Sequence, residues 1–207
     1  MLGPGCDISG TDSGDTIFSS VSDLWDKEFK RKKGAADLDS ASKEKMPDWY
    51  QKGYDYWESE ENCPVSDDGV LGGFGCLTAV DTRDSNVFLD ELLREHRPEL
   101  VFNKAAGSSK AYIVTSSDCG AGIGRVSKNL LLPRCAHVDL VEQSPRLLRA
   151  SAAYLGPDAS RTSLLNIGLQ DFKPAPNTYD LIWIQWVIGH LDDLDFVQFF
   201  RRCVAGL

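Results

Sequence analysis

One stretch of the chain concentrates residues that could do chemistry: Asp118-Cys119-Gly120-Ala121-Gly122-Ile123-Gly124-Arg125. Three glycines at alternate positions let backbone approach a ligand with no Cβ in the way, and at the start of a helix their amides are expected to point outward at it. The spacing is G-x-G-x-G, distinct from the G-x-G-x-x-G of dinucleotide sites. Twenty-two residues beyond Gly120 stands Glu142. That is close to the interval of about 20 residues at which an acid accepts the hydroxyls of a ribose. A glycine turn without a ligand, or a solvated glutamate at a strand end, would explain either feature alone. Loop, strand and acid in one register point instead to a mononucleotide-like ligand. Phosphoryl transfer and serine hydrolysis lose support, because neither G-x-x-x-x-G-K-[ST] nor G-x-S-x-G occurs.

Such a site needs elements to hold it. Ala111–Thr115 reads as a buried strand, and the spacing predicts a helix from Gly124 to about Leu132, ended by Pro133. Ala136–Val141 reads as a second strand. A helix follows over Pro145–Leu155, with proline at its start and Gly156 just past its end. Ser163–Ile167 and Tyr179–Ile184 read as the third and fourth strands, and Asp193 to Val204 as a helix. Strand alternating with helix implies parallel pairing through right-handed crossovers, a Rossmann-like α/β sheet with helices on both faces. Ligands of such sheets lie beyond the carboxyl ends of the strands. After the third strand comes Gly168-Leu169-Gln170-Asp171-Phe172, where a side chain or amide could meet a purine edge. After the fourth comes Gln185-Trp186-Val187-Ile188-Gly189-His190, where the reactive end of the ligand should lie. Upstream, Trp49–Trp57 is dense in aromatics and Gly69–Gly75 in glycine, a loop that turns sharply or lies close to something. A helix is expected around Val87–Leu93, with Ser85 or Asn86 as N-cap and Pro98 as its stop.

The rest of the composition bounds the answer. The 207 residues are 42% hydrophobic and 26% charged, enough for a packed core, and the net charge is −9. An acidic balance disfavours a phosphate-gripping face for nucleic acid and suits a cationic partner such as a basic peptide. Six cysteines without a C-x-x-C pair support neither a zinc site nor a disulfide framework. No apolar run reaches the length of a membrane span, and the first residues lack a secretory pattern. The expected location is therefore cytoplasm, nucleus or both. Residues 1–48 are expected to be a polar, flexible N-terminal tail. Its Lys30–Lys33 cluster is either a solvated face or an import signal.

Four segments carry a family resemblance: Asp68–Gly75, Asp118–Arg125, Gly168–Phe172 and, most specific, Tyr179-Asp-Leu-Ile-Trp-Ile-Gln-Trp-Val-Ile-Gly-His-Leu191. From about Tyr54 to its end the chain resembles the protein N-terminal α-amino methyltransferases, class I enzymes dependent on S-adenosylmethionine (AdoMet) that act on Xaa-Pro-Lys/Arg termini. The resemblance implies a methyltransferase domain over 49–207, with AdoMet as cofactor and the N-terminal segments of substrate proteins as partners. Gly120 and Arg125 would line the methionine end, with Arg125 meeting its carboxylate. Glu142, Gln143 and Ser144 would hold the ribose and its neighbourhood, Leu169 and Gln170 the adenine, and Gln185 the methionine portion. Leu71, Trp186 and His190 would face the substrate peptide, with Tyr56 and Trp57 at the channel entrance. No metal is implied.

Methyl transfer to an α-amine chiefly requires an unprotonated amine aligned with the activated methyl. An α-ammonium titrates near 7.7–8.0, so His190 is the candidate proton acceptor, directly or through water. A hydrogen-bonded structural histidine is the alternative for His190, and plain core packing the alternative for Trp186. The chain departs from the family in two places. Ser116-Ser117 stand where relatives are apolar, and a buried hydroxyl without a partner costs about 1–3 kcal/mol. Relatives also continue beyond the position of Leu207, so the domain is expected to be C-terminally incomplete, with its fourth strand at an apolar edge. Two other readings follow: a methyltransferase for another substrate class, or an inactive methyltransferase-like chain that binds or regulates a complete relative.

Overall fold

Backbone pairing and side-chain contacts are described for residues 9–11, 17–20, 23–24, 27, 48–98 and 113–207 of a computed structural model. The Lys30–Lys33 cluster, Cys6 and the expected strand start at Ala111 and Tyr112 lie outside those residues. Contacts divide the chain into two units, Met1–Asp55 and Tyr56–Leu207. The first contains a short antiparallel ladder, β1 (Gly10–Thr11) and β2 (Ile17–Phe18), with Gly10 opposite Phe18. Helix α1 (Asp48–Glu58) begins in that unit, and its last turn, Tyr56–Glu58, belongs to the second.

The second unit carries the elements the glycine loop requires. Its helices are α2 (Asp67–Val70), α3 (Thr78–His96), α4 (Pro145–Leu155) and α5 (Asp193–Gly206). Its strands are β3 (Ile113–Cys119), β4 (Cys135–Glu142), β5 (Thr162–Asn166) and β6 (Leu181–Ile184), in the spatial order β5-β4-β3-β6. All pairs are parallel, with Asp118 opposite both Leu140 of β4 and Trp183 of β6. The chain builds outward from β3 to β4 and β5, then returns to β3's other side with β6. That reversal opens a crevice above β3 and β6, the place where a doubly wound sheet receives its ligand.

Several expectations need correction. β3 runs on beyond Thr115 through Ser116, Ser117, Asp118 and Cys119, of which Asp118 and Cys119 read as the start of the glycine loop. Strands flank β3 on both sides, so burial decides the conformation, and Ser117 and Asp118 find local partners. Asp118 accepts hydrogen bonds from the Ser127 amide (3.0 Å) and hydroxyl (2.6 Å), and Ser117 Oγ lies 3.5 Å from Cys119 Sγ. Ser116 Oγ, also buried, has no hydrogen-bond partner among the described residues.

The helix after the glycine loop is not a plain α-helix, because Ser127–Leu131 forms a π turn closed by Leu132 N–H on Ser127 O at 2.8 Å. Helix α3 starts at Thr78 rather than near Val87. Neither Ser85 nor Asn86 caps it: Ser85 reaches Gln185, and Asn86 donates to Thr82 O and accepts from Arg134. Helix α4 matches its expected span, with the Ser144 hydroxyl as its cap. The core gathers Leu89, Leu130, Leu131, Val138, Leu140 and Leu155 around the sheet.

One side chain secures the approach to the crevice. Arg146, at the start of α4, donates through Nη2 to the carbonyls of Trp57 (3.0 Å), Ser59 (3.1 Å) and Cys63 (2.6 Å). Its Nε donates to Glu58 O at 2.9 Å, and its Nη1 pairs with Glu60. A planar guanidinium holds five donors in a fixed fork, against the three on an ammonium, and so can serve this many carbonyls at once. Tyr154 adds a bond to Asp67 at 2.6 Å, so residues 57–70 are fastened to α4 at two points. The Arg146→Ala variant is expected to open this segment locally by about 2–3 kcal/mol, the loss of several charged hydrogen bonds. Amide exchange at Cys63 and Ser66 should then quicken about a hundredfold, with β4 amides unchanged, as read by hydrogen-exchange NMR.

Candidate active site

The glycine loop follows directly from the end of β3. Gly120, Gly122 and Gly124 have φ of 76°, 55° and 86°, left-handed conformations that a side chain resists. Gly120 is the most constrained, because a Cβ there would sit 2.6 Å from Val187 Cγ2, in the turn after β6.

The loop's amides turn inward, contrary to the expectation that they face a ligand. Gly120 and Ala121 both donate to Val141 O, at 2.9 and 3.0 Å, and Gly122 donates to Glu142 Oε2 at 2.9 Å. The physical reason is β4, whose end supplies a carbonyl and a carboxylate at the height of the loop. A loop so committed is no phosphate cradle, and it suits a nucleoside without phosphates. Glu142 also accepts from Ser144 N–H through Oε1, at 2.8 Å, and is buried. Burial pushes its carboxyl above the usual carboxylate range, against the opposing pull of the Ser144 and Gly122 amides. The Gln143 amide adds a third bond, and of the carboxylate's roughly four lone-pair sites one stays open to a ribose hydroxyl.

The other expected residues fall in three groups. Ser144 is buried with its hydroxyl committed as cap: it accepts from Leu147 N–H and donates to Glu58 Oε2 at 2.6 Å, while Gln143 O accepts from Asn166. Leu169 and Gln170 lie in a turn whose carbonyls accept from Arg202 of α5, at 3.1 and 3.0 Å.

Around the crevice itself, Gln185 Oε1 accepts from Trp183 Nε1 at 2.6 Å. Trp186 is 72% exposed at φ 60°. His190 meets Trp57 edge to face at 5.6 Å, and Trp57 meets Tyr56 likewise at 5.1 Å. Burial lowers the His190 pKa below the ordinary 6.5, so the imidazole is neutral at pH 7. Leu71 ends α2 beside Val70, which packs with Trp57, Cys63, Ile123 and Leu147 and lies over Gly122. The structure thus gathers aromatic entrance, glycine loop and histidine turn into one unit.

Sequence reasoning missed Asp81 and Arg146. Asp81, in the first turn of α3, pairs with Arg125 Nη1 at 2.7 Å. The faint signal for it was Asp81 and Ser85 at i and i+4, one face of a helix carrying two polar groups. Among the described residues no cluster of His, Cys, Asp or Glu could hold a metal ion, and no helix is long and apolar enough to cross a membrane. Cys63, Cys76, Cys119, Cys135 and Cys203 are free thiols.

Comparison with known proteins follows the same lines. Residues 45–207 match the family model described as AdoMet dependent proline di-methyltransferase. The chain belongs to this proline di-methyltransferase family. It is 43% identical over 160 residues to N-terminal Xaa-Pro-Lys N-methyltransferase 1 of Xenopus tropicalis, covering 77% of this chain and 66% of that protein. It is 40% identical over 205 residues to α N-terminal protein methyltransferase 1 of Arabidopsis thaliana, covering 97% and 67%. This chain therefore spans about two thirds of the length of these relatives. A SAM-dependent methyltransferase from Leishmania major superposes with a TM-score of 0.73 at 29% identity, covering 100% of this chain and 72% of that one. The fold is that of the class I methyltransferases. Glu142's remaining acceptor position and a glycine loop whose amides turn to β4 fit the family's AdoMet.

Two glycine variants separate crowding from backbone strain. Gly156 also lies at positive φ, 62°, but a Cβ there would meet open space. With ψ at −131°, outside the left-handed helical well, Gly156→Ala is expected to cost about 1–3 kcal/mol of backbone strain alone. Gly120→Ala adds the clash with Val187 and should lower the melting temperature at least twice as far, as scanning calorimetry of the two variants would show.

Proposed function

We propose that the chain transfers methyl groups from AdoMet to the α-amino group of proteins that begin Xaa-Pro-Lys/Arg. The observation that carries the reading is a neutral histidine in an aromatic wall, one short turn from the residue that closes on the glycine loop. His190 N–H donates to Val187 O at 3.1 Å, and Val187 lies against Gly120. Relatives named for the same reaction support the choice of acceptor.

When bound, AdoMet supplies a methyl group already activated by its sulfonium. The chain's own residues bind and align. Glu142 holds the ribose hydroxyls, with Gln143 and Ser144 beside it; Gly120, Arg125 and Gln185 hold the methionine end; Leu169 and Gln170 frame the adenine. Tyr56, Trp57, Leu71 and Trp186 line the path of the peptide, and the indole face of Trp186 favours a cation by about 0.5–2 kcal/mol. An imidazole nitrogen of His190 takes the ammonium proton, directly or through water. Against an amine near 7.7, an imidazole whose pKa burial lowers makes that transfer uphill. The step is affordable once methyl transfer consumes the free amine. The net charge of −9 draws the basic third residue of the substrate.

Labelled methyl should pass from AdoMet to a peptide beginning Ser-Pro-Lys, and N-acetylation of that peptide should abolish transfer; equal labelling of both peptides would sink the assignment. His190→Gln should reduce kcat about a hundredfold or more, the usual contribution of a general base. The sign of the pH effect follows from burial: wild-type kcat should fall only below pH 6.5, as His190 gains its proton. That acid limb should be missing from the His190→Gln profile.

A further inference from the structure

Three donors from the two sides of the crevice converge on one carboxylate. Asp81 Oδ2 accepts from Arg125 Nη1 at 2.7 Å, while Oδ1 accepts from Gln185 Nε2 at 2.7 Å and from Trp186 Nε1 at 2.9 Å. The Asp81 side chain is only 13% exposed and that of Arg125 only 6%. Ser85, one helical turn on, accepts from Gln185 at 3.1 Å, so α3 holds Gln185 at two positions. We infer that Asp81 is a positioning residue that sets Arg125 on the cofactor side and Trp186 on the acceptor side in one register. The inference rests on the function proposed above.

Each bond does something the donor cannot do for itself. A guanidinium buried without a partner is strongly unfavourable, and its plane is free to turn. Pairing at Nη1 fixes that plane and leaves other donors of the five for a second carboxylate, such as that of a methionine. Trp186 has the opposite problem. It is largely exposed yet held at φ 60°, a conformation that bulky residues avoid. Little packing restrains its ring, so the hydrogen bond to Asp81 sets where the indole lies. Because Asp81 uses a different oxygen for each side, a change at Arg125 is passed to Trp186 through one rigid group.

The test titrates S-adenosylhomocysteine by calorimetry into the wild-type chain, Asp81→Asn and Asp81→Ala. The Trp186 indole N–H is followed by NMR, assigned with Trp186→Phe, and peptide KM is measured alongside. Asp81→Asn keeps an acceptor oxygen for Gln185 and Trp186 but removes the charge facing Arg125. It should weaken ligand binding at least about tenfold and leave the indole resonance and peptide KM near wild type. Asp81→Ala should weaken binding further, shift the indole resonance and raise peptide KM severalfold. Wild-type affinity and KM in the folded fraction of both variants, with only a lower melting temperature, would reduce Asp81 to a structural residue and overturn the inference. If the wild-type chain binds no S-adenosylhomocysteine, the proposed function fails and the inference falls with it.

Discussion

The carboxylate of Glu142 is the point on which the site depends. At the end of β4 it accepts the Gly122 amide on one oxygen and the Ser144 amide on the other. The first bond closes the glycine loop onto the strand; the second fixes the turn into α4. Ser144, held by its own backbone, presents its hydroxyl to Leu147 N–H and Glu58. A single buried acid therefore joins central sheet, glycine loop, helix start and the segment that follows Trp57. Removing two amides from water requires an acceptor of this strength, since an unsatisfied buried donor costs as much as several good contacts contribute.

The same economy of partners explains the upper rim. Loop, helix and turn are irregular backbone that a parallel sheet does not itself stabilise. Arginines perform the fastening: Arg146 collects the carbonyls of residues 57–63, and Arg202 collects those of 169, 170 and 172. Both reach from helices packed beside the sheet. Each links a segment that would contact ligand or peptide to a helix.

Much of this was legible in the sequence, and the unread part has a physical pattern. Helix α4 could be read to the residue, because Pro145 and Gly156 mark its limits and its cap is local. Parallel pairing followed from the alternation of strand and helix. Asp118 and Cys119 read as loop because they open the glycine segment, and pairing on both sides keeps them in β3. The direction of the loop amides was misread because their acceptors, Val141 and Glu142, come from another strand. Of the residues named for cofactor and substrate, Gly120, Glu142, Leu169 and Gln185 stand at or just after the carboxyl ends of β3, β4, β5 and β6, and His190 meets Trp57. Asp81 escaped notice because its partners lie 44, 104 and 105 positions away, and no local pattern announces such a meeting.

The π turn at Ser127–Leu131 has a consequence for how this region tolerates change. Leu130, Leu131 and Leu132 are all buried, which successive residues of a regular helix, stepping about 100° each, cannot manage on one face. The widened turn changes the pitch between Arg125 at one end and those leucines at the other, so each end can answer to its own neighbours. Adding or deleting one residue here would act as a rotation: it would swing the leucines out of the core or Arg125 away from Asp81. Length in this helix is thus constrained as tightly as residue type.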